Sequence, residues 1–353
     1  MVYVYARQSE LNRHIGKDLS VDEIESVLVD LGMDVKGKSE DHDPELKIEI
    51  TSEKVDMISA IGIARAIKYY LGLVKKVPCY EIKPSGHKVI VENSAEQSRP
   101  KTVAAILRGL DITPEVLEEM IAIQEKIHDS YGRGRKKGAI GIYPMDKIKF
   151  PIKYGAERPE DIIFQPLEST VDMDGKEILE YHPTGKKHAH LLKGVKLFPV
   201  FRDTDGKVLS MPPIINSENT GKVSFDDKDL FIECSGFNIH LLDIILKVLV
   251  TTFIEMGAKA ESVSVEYSNG ETYVLNLDNT FDSFKLDFVN KHIGININEA
   301  ECMELLQKMM YGVKKIENDT VHVEIPVFRA DVWHDADIAD DIARAYGYNN
   351  ITP

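Results

Sequence analysis

RHIGKDLSVDEIESVLVDLG, Arg13–Gly32, and KHIGININEAECMELLQKMM, Lys291–Met310, decide the reading of the architecture, because each restates the other at opposite ends of the chain. His14-Ile15-Gly16 faces His292-Ile293-Gly294. Farther along, Glu49-Ile50 faces Glu324-Ile325, in each case six residues before an aspartate, Asp56 or Asp331. Ala64-Arg65-Ala66 then faces Ala343-Arg344-Ala345, with four extra residues in the later copy. One small α+β unit is therefore expected twice. In the first copy, Ser20 and Glu23 have the spacing of a capping box, Leu46–Ile50 alternates like a strand, and Ile58–Leu71 has helical period ending at Gly72.

Between the repeats, about Glu81 to Thr280, helices mix with strands. Thr113-Pro114 starts a helix that runs through Ile127, with Thr as the cap and Pro in the first turn. Ile239–Met256 is a second, more apolar helix, closed by Gly257. Asn269-Gly270 between alternating runs over Val263–Leu277 predicts a β-hairpin. The expected fold class is α+β and multidomain: residues 1–80, a larger domain over 81–280, and 281–353.

The chain's 353 residues allow cores for two or three domains. With 43% hydrophobic and 29% charged residues it has the balance of a soluble globular protein. Charges early in MVYVYARQSELNRHIG argue against a signal peptide, and a cytosolic location is expected. Cys79, Cys234 and Cys302 share no metal or redox spacing and are expected to be buried free thiols. A net charge of -15 argues against indiscriminate nucleic-acid coating. Local basic runs remain at Arg133, Arg135, Lys136 and Lys137, continuing to Lys147, Lys149 and Lys153, and at Lys186, Lys187, His188 and His190; such runs are solvated faces or RNA sites. His14-Ile15-Gly16 lacks the second histidine of a nucleotide-binding signature and belongs to the repeat. No phosphate loop, dinucleotide fingerprint or nucleophile elbow occurs.

Two clusters stand above this background. LSMPPIINSENTG, Leu209–Gly221, reads as an extended, proline-fixed loop carrying Ser210, Asn216, Ser217 and Thr220 and closed by Gly221. LFIECSG, Leu230–Gly236, follows as a short buried strand bearing Glu233. A carboxylate there is costly unless paired or used, so the residues alone fit either a polar turn beside an edge strand or a functional pocket. FRADVWHDADIADDIARAYGYNNI, Phe328–Ile351, places Asp337, Asp340 and Asp341 on one face of a helix starting near Asp335, with Asp331 just ahead. That set suits either the helix N-terminal dipole or Mg²⁺.

At these residues the chain resembles the β subunit of archaeal and eukaryotic phenylalanyl-tRNA synthetases. The resemblance rests on the order of segments, on LSMPPIINSENTG, and on the ending D-x5-D-x2-[DE]-[DE]-x-AR-x-YGYNNI, and it covers essentially the whole chain. It implies a middle domain that edits tRNA(Phe) mischarged with tyrosine, flanked by nucleic-acid-binding modules. It implies editing roles for Ser210, Glu233 and Ser235, to which Asn216, Ser217, Thr220 and Gly221 are added because they share the loop. It also implies Mg²⁺ at Asp331, Asp337, Asp340 and Asp341, at a site shared with a catalytic α subunit that alone uses ATP, within an α2β2 assembly. Such archaeal relatives more often carry Asp and Thr at the positions of Glu233 and Ser235, and an Asn-Arg pair in the corner that here reads SEKVD, Ser52–Asp56.

The expected chemistry follows. A Phe pocket rejects Tyr poorly, whereas a second pocket offering a carboxyl group to the phenol rejects Phe strongly; Glu233 is the expected reader of that hydroxyl. Backbone amides over Ser217–Gly221, with Ser210 or Ser235, are expected to support the oxyanion while a positioned water attacks. The resemblance further implies a catalytic-like domain beyond Pro353, so this chain alone is not expected to make Phe-tRNA. The alternative is a free-standing, non-catalytic paralogue that binds tRNA or a protein partner.

Overall fold

The computed structural model describes residues 2–351; Met1, Thr352 and Pro353, the last two at the end of the predicted third segment, lie outside the described residues. The first segment runs β1 (Val2–Arg7), α1 (Gln8–Ile15), α2 (Val21–Asp30), β2 (Asp34–Lys38), β3 (Glu45–Ile50) and α3 (Ala60–Tyr70), with β3 paired between β1 and β2. Alternation in Glu45–Ile50 buries Leu46, Ile48 and Ile50 on one face, as period-two patterning requires.

Residues Glu81–Asn276 form a separate compact unit. In chain order it contains β4 (Ile82–Val91), β5 (Lys101–Arg108), α4 (Pro114–Asp129), β6 (Gly138–Pro144), β7 (Ile152–Glu157), α5 (Gly175–Tyr181), α6 (Pro183–His188), β8 (Phe198–Arg202), β9 (Val208–Met211), β10 (Ile215–Asn216), α7 (Glu218–Gly221), β11 (Leu230–Gly236), α8 (Ile239–Glu255), β12 (Lys259–Tyr267) and β13 (Thr272–Val274). One mixed sheet runs β10-β9-β8-β7-β4-β12-β5-β11-β6, with β13 added to β12 by the hairpin that Asn269-Gly270 predicts. Gly270 takes φ +89° in that turn, a conformation glycine adopts without steric cost. Thr113 accepts from the Val116 amide and Asn238 from the amides of His240 and Leu241, so both helices begin at the predicted caps.

The last segment repeats the first: β14 (Thr280–Lys285), α9 (Leu286–Ile293), α10 (Glu299–Lys308), β15 (Gly312–Glu317), β16 (Thr320–Ile325) and α11 (Asp335–Tyr346), with β16 between β14 and β15. The shared tripeptide ends the first helix of each copy, since Gly16 and Gly294 both take φ +78° as left-handed caps. Asn12 exchanges hydrogen bonds with the backbone of Leu19 at 3.0 and 3.2 Å, and Asn290 does the same with Ile297 at 3.1 and 3.0 Å. Capping boxes at Ser20/Glu23 and Asn298/Glu301 then start the second helices.

The chain up to Tyr80 and the chain from Leu277 form one compact unit together, whereas the sequence was divided into three segments. Cys234 and Cys302 are buried as expected, but Cys79 is exposed, because it sits in the irregular stretch between α3 and β4 rather than on a core face. No helix among the described residues is long and apolar enough to cross a membrane.

Candidate active site

In the middle unit β11 is an interior strand, paired with β5 on one side and β6 on the other, so Glu233 is not on a sheet edge. It is 2% exposed. Its register partner on β6 is Gly141, where an added Cβ would lie 2.1 Å from the Tyr143 hydroxyl and 2.5 Å from Glu233 Oε1. Glycine there leaves the space in which the two side chains meet, Tyr143 Oη standing 3.1 Å from Glu233 Oε1 and 2.7 Å from Ser210 Oγ. Ser210 pairs with Asn216 across β9 and β10. Oε2 of Glu233 is buried without a hydrogen-bond partner.

Burial pushes Glu233 up to about 8, against the opposing pull of the Tyr143 hydroxyl and Arg99, so its carboxyl group is mostly protonated near neutrality. Burial, reinforced by Glu233, raises Tyr143 well above its usual range, so the phenol stays neutral.

These residues line a cavity of about 580 Å³ walled by α4, β6 and the segment from Ser210 to Val223. Met120, Ile121, Ile140, Ile142 and Pro212 supply apolar surface, and Glu233, Ser210 and Asn216 supply polar groups, the proportions of a small-molecule site. α4 also completes the free edge of β6: Gln124 donates to the Ile140 carbonyl at 2.9 Å, and His128 Nε2 accepts from the Ile140 amide at 2.9 Å. That bond assigns the proton of His128 to Nδ1, which faces Glu125 Oε1 at 3.1 Å. Arg135 holds Glu125 from the other side at 2.7 Å and donates to the Ile214 carbonyl.

In the unit formed by the chain ends, Lys54 and Arg329 meet two aspartates. Lys54 Nζ lies 2.5 Å from Asp331 and 3.4 Å from Asp341, and Arg329 pairs with Asp331 at 2.7 Å and Asp341 at 2.5 Å. Tyr311 adds a hydrogen bond to Asp341 at 2.7 Å. Burial alone would raise both carboxyl groups, but Arg329 and Lys54 outweigh it and hold both below the ordinary aspartate value.

Comparison with known proteins follows this geometry. The description "tRNA synthetase B5 domain" matches residues 283–348. A phenylalanine–tRNA ligase β subunit from Pyrococcus horikoshii is 39% identical over 350 residues, covering 98% of this chain and 62% of the relative; the Thermococcus kodakarensis counterpart is 38% identical, with 98% and 60% covered. The chain thus spans about three-fifths of these relatives' length. The crystal structure of an N-terminal fragment of the phenylalanyl-tRNA synthetase β subunit from Pyrococcus horikoshii superposes with a TM-score of 0.93 at 38% identity, covering 98% of this chain and all of that one. The chain belongs to the phenylalanyl-tRNA synthetase β-subunit family.

Of the residues marked in the family phrases, Ser210, Asn216, Gly221 and Glu233 line one cavity. Ser217, Thr220 and Ser235 do not. Ser217 caps α7 through the Asn219 amide, Thr220 donates to the Val208 carbonyl at 2.9 Å, and Ser235 accepts from Arg99 at 3.3 Å. The predicted loop is largely two strands and a helical turn, and the amides of Ser217, Glu218, Asn219 and Gly221 already donate within the protein, to Leu209, Gln165 and Ser217. Oxyanion support would therefore come from side chains such as Ser210 and Asn216. Tyr143, Gln124, His128 and Arg135 were not singled out for this pocket from sequence. The glycine in GAIGIYP, spaced to sit opposite a strand carboxylate, was the available signal.

The Mg²⁺ that the family resemblance implies does not fit the aspartates as they stand. Asp331 and Asp341 are neutralised by Lys54 and Arg329. Asp337 turns to the helix N-terminus, accepting from the amides of Trp333 and His334 at 2.8 Å, and Asp340 bonds Arg344 and Tyr348. Among the described residues no group of three or more His, Cys, Asp or Glu is placed to hold a metal ion.

Proposed function

We propose that this chain is the editing-containing part of a phenylalanine–tRNA ligase β subunit, whose Glu81–Asn276 unit hydrolyses tyrosine wrongly esterified to tRNA(Phe). The α subunit, acting with it in an α2β2 assembly, carries ATP-dependent aminoacylation. The observation that supports the editing reading is Glu233: a carboxyl group 2% exposed, one oxygen held beside Tyr143 and the other unpartnered in a largely apolar cavity. A buried polar atom without a partner is costly until a ligand supplies one. The phenol of a tyrosyl group does so, whereas a phenylalanyl group would leave Oε2 unsatisfied, which turns the missing hydroxyl into discrimination.

The protonation state of Glu233 suits recognition better than proton abstraction. A neutral carboxyl group both donates and accepts, and it is a poor base at neutral pH. Glu125 is occupied by His128 and Arg135, and His128 is fixed by Ile140, so neither is poised as a general base. The remaining route is a water positioned against the ester carbonyl, assisted by hydroxyl groups of the tRNA, with Ser210 and Asn216 facing the developing negative charge. Isothermal titration with non-hydrolysable 3′-tyrosylamido- and 3′-phenylalanylamido-adenosine tests the reader role. At least tenfold tighter binding of the tyrosyl compound is expected; equal binding would remove Glu233 from that role.

A further inference from the structure

Beside the candidate active site lies a second cavity of about 320 Å³, sharing Pro213 with the first. The loop over 133–136 walls both: Arg135 faces the first, while Arg133, Gly134 and Lys136 face the second. Although acidic residues outnumber basic ones 58 to 43 in this chain, none lines the second cavity, which instead presents Arg99, Arg133, Lys136 and His190. Arg133 and Lys136 have no ion-pair partner among the described residues, whereas Lys147, Lys149 and Lys222 of the same unit are paired with Asp227, Asp205 and Glu218. The basic runs of the sequence thus separate into neutralised cations and cations left open at this cavity.

An aromatic platform completes it. Phe237 lines the cavity and is 56% exposed, and the Arg99 guanidinium lies 5.4 Å from its ring centroid. Arg99 is fixed in turn by the Ser235 carbonyl at 2.6 Å and the Arg135 carbonyl at 3.2 Å, so the ring rests on a buried cation tied to both β11 and the basic loop. A supported ring with open surface beside unpaired cations is the arrangement that binds single-stranded nucleic acid: every base has a face to stack, and every linkage has a phosphate to neutralise.

We infer that this second cavity is a subsite for a single-stranded ribonucleotide, the one preceding the nucleotide that bears the aminoacyl ester, with its base on Phe237 and its phosphate at Arg133 and Lys136. The choice of nucleotide rests on the editing reading; the binding chemistry does not. The subsite would let the active site grip the polynucleotide independently of the amino acid.

Two readouts keep the inference and that reading distinguishable. The first is fluorescence anisotropy of a short oligoribonucleotide ending in adenosine and carrying no amino acid. Phe237→Ala is expected to weaken binding roughly fivefold or more. Arg133→Ala and Lys136→Ala are each expected to flatten the slope of log affinity against log salt by about 0.7. No binding by the parent chain, or unchanged binding by all three variants, would overturn the subsite whatever the hydrolytic result. The second is hydrolysis of Tyr-tRNA(Phe) against 3′-tyrosyladenosine, which lacks the preceding nucleotide. Phe237→Ala should raise KM for the tRNA and leave the nucleoside ester unaffected; equal losses on both would show a merely structural role. Failure of the parent chain to hydrolyse either ester would count against the editing reading, while the anisotropy result would still decide the subsite.

Discussion

The hydroxyl of Tyr143 stands 3.1 Å from Oε1 of Glu233, and the two meet only because the residue opposite Glu233 on the neighbouring strand is Gly141. A methyl group at Gly141 would overlap both side chains. Gly141→Ala is expected to cost about 1–3 kcal/mol of stability by overpacking and to reduce deacylation of Tyr-tRNA(Phe) at least tenfold. Urea unfolding and single-turnover deacylation check the two effects separately.

Removing the carboxyl group should act on selectivity. Glu233→Ala is expected to lower the ratio of Tyr-tRNA(Phe) to Phe-tRNA(Phe) hydrolysis at least tenfold, the order expected when a hydrogen bond to a buried polar group worth about 1–3 kcal/mol is lost. An unchanged ratio in competition assays with the two substrates would exclude the reader role.

The raised Glu233 value carries a signed stability prediction. Folding shifts this carboxyl group from an ordinary 4.5 to about 8, so the folded state binds the proton more tightly than the unfolded one. Stability is therefore greatest below pH 4.5, falls by about 1.4 kcal/mol per pH unit as pH rises toward 8, and levels off beyond. Glu233→Gln cannot titrate, so its stability relative to the parent should improve steadily between pH 5 and pH 8. Urea melts at pH 5.5 and 7.5 test this, and an equal difference at both would contradict it.

In the unit built from the chain ends, Lys54 is 6% exposed and supplies one of the two cations for Asp331 and Asp341. Lys54→Met is expected to destabilise that unit by about 3–5 kcal/mol, because it strands buried negative charge. Differential scanning calorimetry should show the loss, and chelator added to the parent chain should leave its transition unchanged.

Much of the fold was legible because it is written in local signals: two Gly caps, two capping boxes with equivalent spacing, and one Asn-Gly turn. The joining of the chain ends was not, since the pairing of Lys54 with Asp331 and Asp341 spans the entire middle unit and leaves no periodic trace. In the pocket, Ser210 and Glu233 were marked by unusual phrases. Ser217 and Thr220 shared the phrase but turned out to serve backbone partners, because short polar side chains satisfy nearby amides and carbonyls as readily as ligands. Tyr143 was hidden because a tyrosine in an apolar strand looks like core until the register brings it beside a carboxyl group. The aspartate cluster misled toward a metal because the neutralising Lys54 is remote in sequence.

The most direct test of the editing proposal is the rate at which this chain deacylates Tyr-tRNA(Phe) and Phe-tRNA(Phe) under single-turnover conditions. Rapid loss of tyrosine with phenylalanine largely retained is the predicted result. Hydrolysis of neither substrate by correctly folded chain, or hydrolysis of both at the same rate, would contradict it.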